Sequence, residues 1–264
     1  MAKGLVFVGL GLSGIGGMTV DGLEALRACD RIYAEFYTSK LIDTDLSELA
    51  EAIGKELTPV TREQVEEGRF IVLEAKKSRV GFVAAGDTMA ATTHLDLRIQ
   101  AAEEGVPIEI HHGISVFSAV PSALGLQPYK FGRTVTLPFL EDGYHPRSPY
   151  DNILENKLRG LHSMVLLDIR EDESRYMTAK QALEWLFEGE VKWQGGLIND
   201  DTLVCVASNV GSRSERLTAG YAGEMLKRRD LGDPLSTLVL PGTLHFMEAY
   251  SLVTFAGAPE ELID

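Results

Sequence analysis

Gly4-Leu-Val-Phe-Val-Gly9-Leu-Gly11-Leu-Ser-Gly14-Ile-Gly-Gly17-Met-Thr19 is an apolar run that breaks into glycines and resumes at a good helix-capping residue. Gly4–Val8 reads as a strand. The letters from Gly9 to Gly14 match G-x-G-x-x-G, the pattern of a dinucleotide turn with pyrophosphate on a helix N-terminus. Glu35, about 20 residues on, stands where a ribose-binding acid is expected in that reading. Ile15-Gly16-Gly17 opposes it, because glycine costs about 1 kcal/mol per position inside a helix. The next helix starts more naturally at Thr19. Bare backbone at Gly9 and Gly11 admits close approach by a ligand, and a merely tight strand-to-helix turn accounts for the same letters.

Outward from this turn, strands alternate with helices. Gly4–Val8, Arg31–Phe36, Val80–Ala84 and Val106–His111 read as strands, with helices at Thr19–Ala28, Leu46–Gly54 and Thr93–Glu104. In the last helix Leu95, Ile99 and Ala102 recur at i, i+4 and i+7, the spacing of one buried face, and Gly105 stands as its C-terminal cap. Periodicity weakens after Ala123. The second half restarts with strands at Thr134–Pro138, Met164–Ile169, Thr202–Ala207 and Thr237–Leu240, and helices at Asn152–Arg159, Ala179–Phe187 and Ala219–Arg228; Glu141–Pro149 reads as a loop. The expectation is an α/β protein with mostly parallel sheets. Two domains, 1–123 and 134–264, are joined by a linker at 124–133, with a ligand cleft between them.

Two further loops carry ligand-type residues. Val80-Gly-Phe-Val-Ala-Ala-Gly86-Asp87-Thr88 is a buried-type strand ending in Gly-Asp, where Asp87 can accept hydrogen bonds from a ligand amine or from backbone. His111-His-Gly-Ile-Ser115-Val116 follows the next strand. Open α/β sheets bind ligands outside the carboxyl ends of their strands, so three such ends define one edge.

Composition narrows the class. The 264 residues are 45% hydrophobic and 24% charged, as in ordinary globular proteins. A formal net charge of −14 opposes nucleic acid and anionic membranes as partners. No run approaches the ~20 apolar residues of a membrane span, and the two cysteines point to a reducing, cytoplasmic setting. Lys3 with Gly4–Met18 imitates a signal peptide, but six glycines interrupt it and no A-x-A site follows.

The opening strand with Gly9-Leu-Gly11-Leu12, Ala34-Glu-Phe-Tyr-Thr-Ser39, Gly86-Asp87 before Ala91-Thr-Thr-His94 and Ser115-Val-Phe-Ser-Ala119 resemble the tetrapyrrole-methylase-type S-adenosylmethionine transferases. Leu167-Asp-Ile169, Tyr176-Met-Thr-Ala179, Asn199-Asp-Asp-Thr-Leu203, Gly232-Asp-Pro234 and Pro241-Gly-Thr-Leu-His245 extend the likeness down the chain in order. It is strongest to the branch that methylates the amino group of a modified histidine on translation elongation factor 2, toward diphthamide. The resemblance implies two α/β domains holding S-adenosyl-L-methionine in their cleft, usually within a homodimer. By position it implies cofactor contacts from Leu12, Asp87, Ala90, Ser115, Val116, Leu167, Val210 and Ser236. Thr88 departs from the family's usual Gly-Asp-Pro, and Ser236 stands where histidine is common.

Methyl transfer from a sulfonium needs a positioned neutral amine and no acid for the leaving group. Orientation supplies much of the acceleration, so the absence of a Ser-His-Asp, H-E-x-x-H or C-x-x-C arrangement is consistent with it, and no metal site is expected. His94, His112 and Glu35 are conceivable helpers in proton removal, without an assigned catalytic residue. His111-His112 is a poor metal pair, since adjacent strand residues face opposite ways. Two other readings stand beside the methyltransferase. An NAD(P)-dependent oxidoreductase requires a helix beginning by about Ser13. A non-catalytic module would bind a protein through the same cleft.

Overall fold

The computed structural model describes residues 2–37, 39, 41–141 and 143–264. Thr38 of the Ala34–Ser39 stretch and Asp142 of the Glu141–Pro149 loop lie outside the described residues. The chain divides into two compact units, one of residues 1–115 with 170–174 and 211–213, the other of 116–169, 175–210 and 214–264.

In the first unit the elements run β1 (Gly4–Gly9), α1 (Val20–Arg27), β2 (Arg31–Glu35), α2 (Leu46–Ile53), β3 (Leu57–Val60), α3 (Arg62–Glu67), α4 (Arg69–Ala75), β4 (Arg79–Ala84), α5 (His94–Glu103) and β5 (Ile108–His111). All five strands are parallel in the order β3-β2-β4-β1-β5. Both faces are buried, as parallel sheets require. Leu5, Phe7, Val80 and Phe82 pack on one side, Val6, Val8, Ile32 and Val83 on the other. Helix α1 begins where the capping chemistry places it, the Thr19 hydroxyl accepting from Gly22 N at 3.1 Å. Ile15–Gly17 forms only a single 3₁₀ turn before it.

Helix α5 forms where periodicity places it but turns the other way. Leu95 and Ile99 are exposed, while His94, Leu97 and Ala101 are buried. The buried face includes a histidine that a hydropathy count scores as polar, so the apolar stripe misidentified the inner side. β3, α3 and α4 have no counterpart in the expected elements. β3 carries Pro59, tolerated because β3 is an edge strand.

The second unit contains α6 (Val116–Leu124), β6 (Val135–Leu137), α7 (Arg147–Leu158) and β7 (Ser163–Leu167). A short pair, β8 (Ile169–Arg170) with β9 (Arg175–Tyr176), precedes α8 (Ala179–Trp193), β10 (Leu203–Ser208), β11 (Arg216–Tyr221), α9 (Ala222–Met225), β12 (Ser236–Leu240) and α10 (Phe246–Ala256). Its sheet, β11-β10-β12-β7-β6, is antiparallel except for the β6–β7 pair. The expectation of mostly parallel sheets therefore holds for the first unit and fails for the second. The cause is local to Ala219–Arg228, expected as a crossover helix. Ala219 instead pairs with Cys205 in β11, and only Ala222–Met225 is helical. Pairing with β10 overrides the helix propensity of Ala, Leu and Lys.

Residues 124–133 do not behave as a linker. Leu124 and Leu126 are buried, Gln127 N donates to Glu248 at 2.9 Å, and Gly132 lies against the Asn156 side chain. The division between compact units falls at Ser115/Val116, where β5 hands over to α6. Prolines and glycines here shape packed turns, which composition does not distinguish from a tether.

Candidate functional site

In the first sheet, β1 connects leftward to β2 while its neighbour β4 connects rightward to β5. Connections that diverge between adjacent strands open a crevice at their carboxyl ends. The two loops bounding it are the glycine turn and the Gly86-Asp87 loop. They are joined by an isolated bridge, with Gly11 N donating to Gly86 O at 3.1 Å and Gly86 N to Gly11 O at 2.6 Å.

The glycines therefore do something other than the sequence implied. A Cβ on Gly9 would stand 2.5 Å from both Gly113 N and Gly86 O, and one on Gly113 would stand 2.1 Å from Gly86 O. A Cβ on Gly11 would meet Gly17 O at 2.4 Å. The close approach at Gly9 and Gly11 is chain on chain: the backbones ending β1, β4 and β5 touch one another. Gly86 differs, since its φ is +69° and a Cβ there would meet nothing within 4 Å. Open space begins at that residue.

Asp87 is half-buried and organises the loop around it. Its Oδ1 accepts from Met89 N at 2.8 Å, and its Oδ2 accepts from Gly113 N at 3.2 Å and lies 2.7 Å from His112 Nδ1. Of the two roles open to Asp87, the backbone one is visible. Ala90 closes the turn through its N–H to Asp87 O, and Ala91 adopts φ +56°. Thr88, the departure from Gly-Asp-Pro, is fully buried, with its hydroxyl unpartnered among the described residues. The Tyr37 hydroxyl, also buried, is pushed up to about 12 by burial.

The eight expected contact residues divide between two sheet edges. Leu12, Asp87, Ala90 and Ser115 occupy the loops after β1, β4 and β5 in the first unit. Val116, Leu167, Val210 and Ser236 belong to the second. There Leu167 ends β7, Ser236 opens β12, and Val210 lies just beyond Ser208, the β10 partner of Ser236. That register brings three of the four to one edge of the second sheet. The Ser236 hydroxyl is engaged within the unit, 2.7 Å from Ser208 Oγ and 3.3 Å from Asp233 O. Val116 opens α6.

A cavity of about 900 Å³ borders the outer side of the glycine turn, lined by Ser13–Gly16, Asp43, Thr44, Glu48, Glu51 and residues 211–213 among others. Asp43 accepts from Arg213 N at 2.9 Å, and Gly211 approaches Leu12. No spacing in the sequence announces that a loop some 170 positions away returns here.

The dinucleotide reading fails on this geometry. The helix after the turn starts at Val20, not near Ser13, and Glu35 is fully buried against His94 instead of facing a ribose.

Residues 4–226 match the family model of tetrapyrrole (corrin/porphyrin) methylases. The chain belongs to that family, and it is an S-adenosyl-L-methionine-dependent methyltransferase. Among its relatives are diphthine synthases. It is 40% identical over 259 residues to the diphthine synthase of Methanosphaera stadtmanae, covering 98% of both chains. It is 41% identical over 260 residues to that of Methanothermobacter thermautotrophicus, again covering 98% of both. A crystal structure of diphthine synthase superposes with TM-score 0.88 at 34% identity and 98% coverage of each chain.

Proposed function

We propose that the chain acts as a diphthine synthase, methylating the amino group of the modified histidine of translation elongation factor 2. The observation that carries this reading is the likeness to diphthine synthases over 98% of both chains. The loop edge is compatible with the cofactor: Gly86 faces open space, flanked by half-buried Leu12, Asp87, Ala90 and Ser115. Those four, with Val116, Leu167, Val210 and Ser236, are the proposed contacts. For Ser236, whose hydroxyl is already engaged, the contact runs through backbone.

Bound at these loops, S-adenosyl-L-methionine would supply a sulfonium methyl for the amine nitrogen, with a neutral thioether as leaving group. The chain's own part is positional. Asp87 fixes the loop backbone by taking two N–H donors, and the bridged glycines hold that loop against β1. Orienting two reactants in this way reaches effective molarities of about 10⁵–10⁸ M. The methylated ammonium must shed its proton. His112, which is exposed and in contact with Asp87, is better placed to pass it to water than the fully buried His94.

The assembly is proposed to be a homodimer working in the cytoplasm. Phe246, Met247 and Tyr250, 71%, 50% and 57% exposed on one face of α10, support a covered surface there. No helix among the described residues is long and apolar enough to cross a membrane. The test is mass spectrometry of elongation factor 2 carrying the aminocarboxypropyl-histidine precursor after incubation with protein and S-adenosylmethionine. Mass gains in steps of one methyl group are expected. An unmodified acceptor, from protein that binds the cofactor in calorimetry, would refute the substrate and leave the family intact.

A further inference from the structure

Beneath the Asp87 loop lies a buried ionisable pair. Glu35 ends β2 and His94 opens α5, and they are 0% and 1% exposed. His94 Nε2 stands 2.9 Å from Glu35 Oε2. His94 Nδ1 stands 3.0 Å from the Thr88 carbonyl oxygen. A carbonyl only accepts, so Nδ1 carries a hydrogen. Opposite-type ionisable groups this close in a buried site compensate one another, which a lone buried charge cannot do.

The pair reaches the loop at one point, the Thr88 carbonyl. Asp87 precedes that residue and Ala90 follows it by two. The same loop places Ala91 at φ +56°, a left-handed conformation that persists only where the surroundings over-determine it. Thr93, the residue capping α5, contributes no side-chain bond to the helix; Thr92 Oγ1 accepts from His94 N at 3.3 Å, and the His94 side chain adds a tie back to Thr88. An edge-on contact with Phe82, centroids 4.9 Å apart, fixes the imidazole plane.

We propose that Glu35 and His94 form a buried positioning pair that sets the Asp87–Ala90 backbone for cofactor binding, acting through the Thr88 carbonyl and never touching the reacting atoms. This rests on the assignment of Asp87 and Ala90 as cofactor contacts. It is independent of the identity of the methyl acceptor.

The test compares Glu35→Leu with Glu35→Gln. Both fill similar space, but only the Gln amide keeps a polar group beside His94 Nε2. S-adenosylmethionine affinity is measured by calorimetry, and kcat and each KM by methyl incorporation. Glu35→Leu is expected to weaken cofactor affinity about tenfold or more, and Glu35→Gln to restore it to within about threefold. The loss should fall on the cofactor KM and leave the acceptor KM unchanged. Wild-type affinity in Glu35→Leu overturns the inference while the methyltransferase assignment stands; a wild-type protein that binds no cofactor overturns the assignment itself. Should Glu35→Leu not fold, ¹⁵N spectra of the unmodified protein decide: a hydrogen on His94 Nδ1 is required, and its absence refutes the link to the Thr88 carbonyl on which the inference depends.

Discussion

Replacing Gly9 with alanine tests the idea that the glycine turn is a joint between strand ends. The added Cβ would lie 2.5 Å from Gly113 N and Gly86 O and 2.7 Å from Gly113 Cα. Those distances are about 1 Å inside the ~3.5 Å at which non-bonded carbons rest comfortably. All three obstacles are backbone, held by β4 and β5, so no side chain can swing aside. Overpacking of this kind costs about 1–3 kcal/mol, and the rigid surroundings place Gly9→Ala at the upper end. Part of the cost is offset by the ~0.5–1 kcal/mol that alanine gains over glycine within a strand. A net loss of about 2 kcal/mol is therefore expected, read as a lower urea midpoint at unchanged slope. Gly16→Ala is the control, because a Cβ there meets nothing within 4 Å; it should stay within about 0.5 kcal/mol of wild type. A Gly9→Ala protein as stable as Gly16→Ala would refute the joint. Cofactor affinity should fall with stability, since the Gly86 bridge moves with the strand ends.

Asp87→Ala removes the acceptor for Met89 N and Gly113 N, and leaving such donors unpaired costs about 1–3 kcal/mol. Calorimetry should show cofactor binding weakened about tenfold or more, and unchanged affinity would remove Asp87 from the site. A pH effect is expected in the second unit. Glu248 is pushed up by burial but pulled further down by donors from His245, Lys130, Gln127 and His162, and is held at about 2. Moving a carboxyl from 4.5 to about 2 corresponds to about 3 kcal/mol of stability, fully present above 4.5 and lost as pH falls toward 2. Burial also lowers His162, whose Nδ1 accepts from Gly242 N; it favours the fold less once the unfolded chain protonates below about 6.5. Both tryptophans, Trp185 and Trp193, lie in α8 of the second unit. Their fluorescence should therefore report a midpoint that falls on acidification from near-neutral pH, and a flat profile down to pH 4 would contradict the sign.

Much of the first unit was legible because its signals are local. β1, β2 and β4 are apolar runs bounded by breakers, and Thr19 announces its helix by a bond only three residues long. The glycine turn and the Gly86-Asp87 loop were legible too, because each follows a buried strand. Signals failed where a partner far along the chain sets the outcome. Ala219 is strand because Cys205 lies beside it, and 124–133 is packed because Glu248 and Asn156 reach it. The capping box of α10, His245 with Glu248, escaped notice because histidine is a rare helix cap.

The order of residues alone was enough for the α/β class, the rejection of a helix inside the glycine turn, and the family resemblance. Each depends on short-range sterics, capping or motif order, which are written in adjacent letters. It could not say what the glycines meet. The sequence offered Gly9 and Gly11 to a ligand, but sheet order β4-β1-β5 presses Gly9 against Gly86 and Gly113, Gly11 folds back on Gly17, and it is Gly86 that borders open space at the strand ends. Nor could it say that Glu35 and His94 lie buried 2.9 Å apart beneath that loop. Contacts of that kind exist only after the sheet has stacked its strands out of chain order, and no spacing along the chain encodes them.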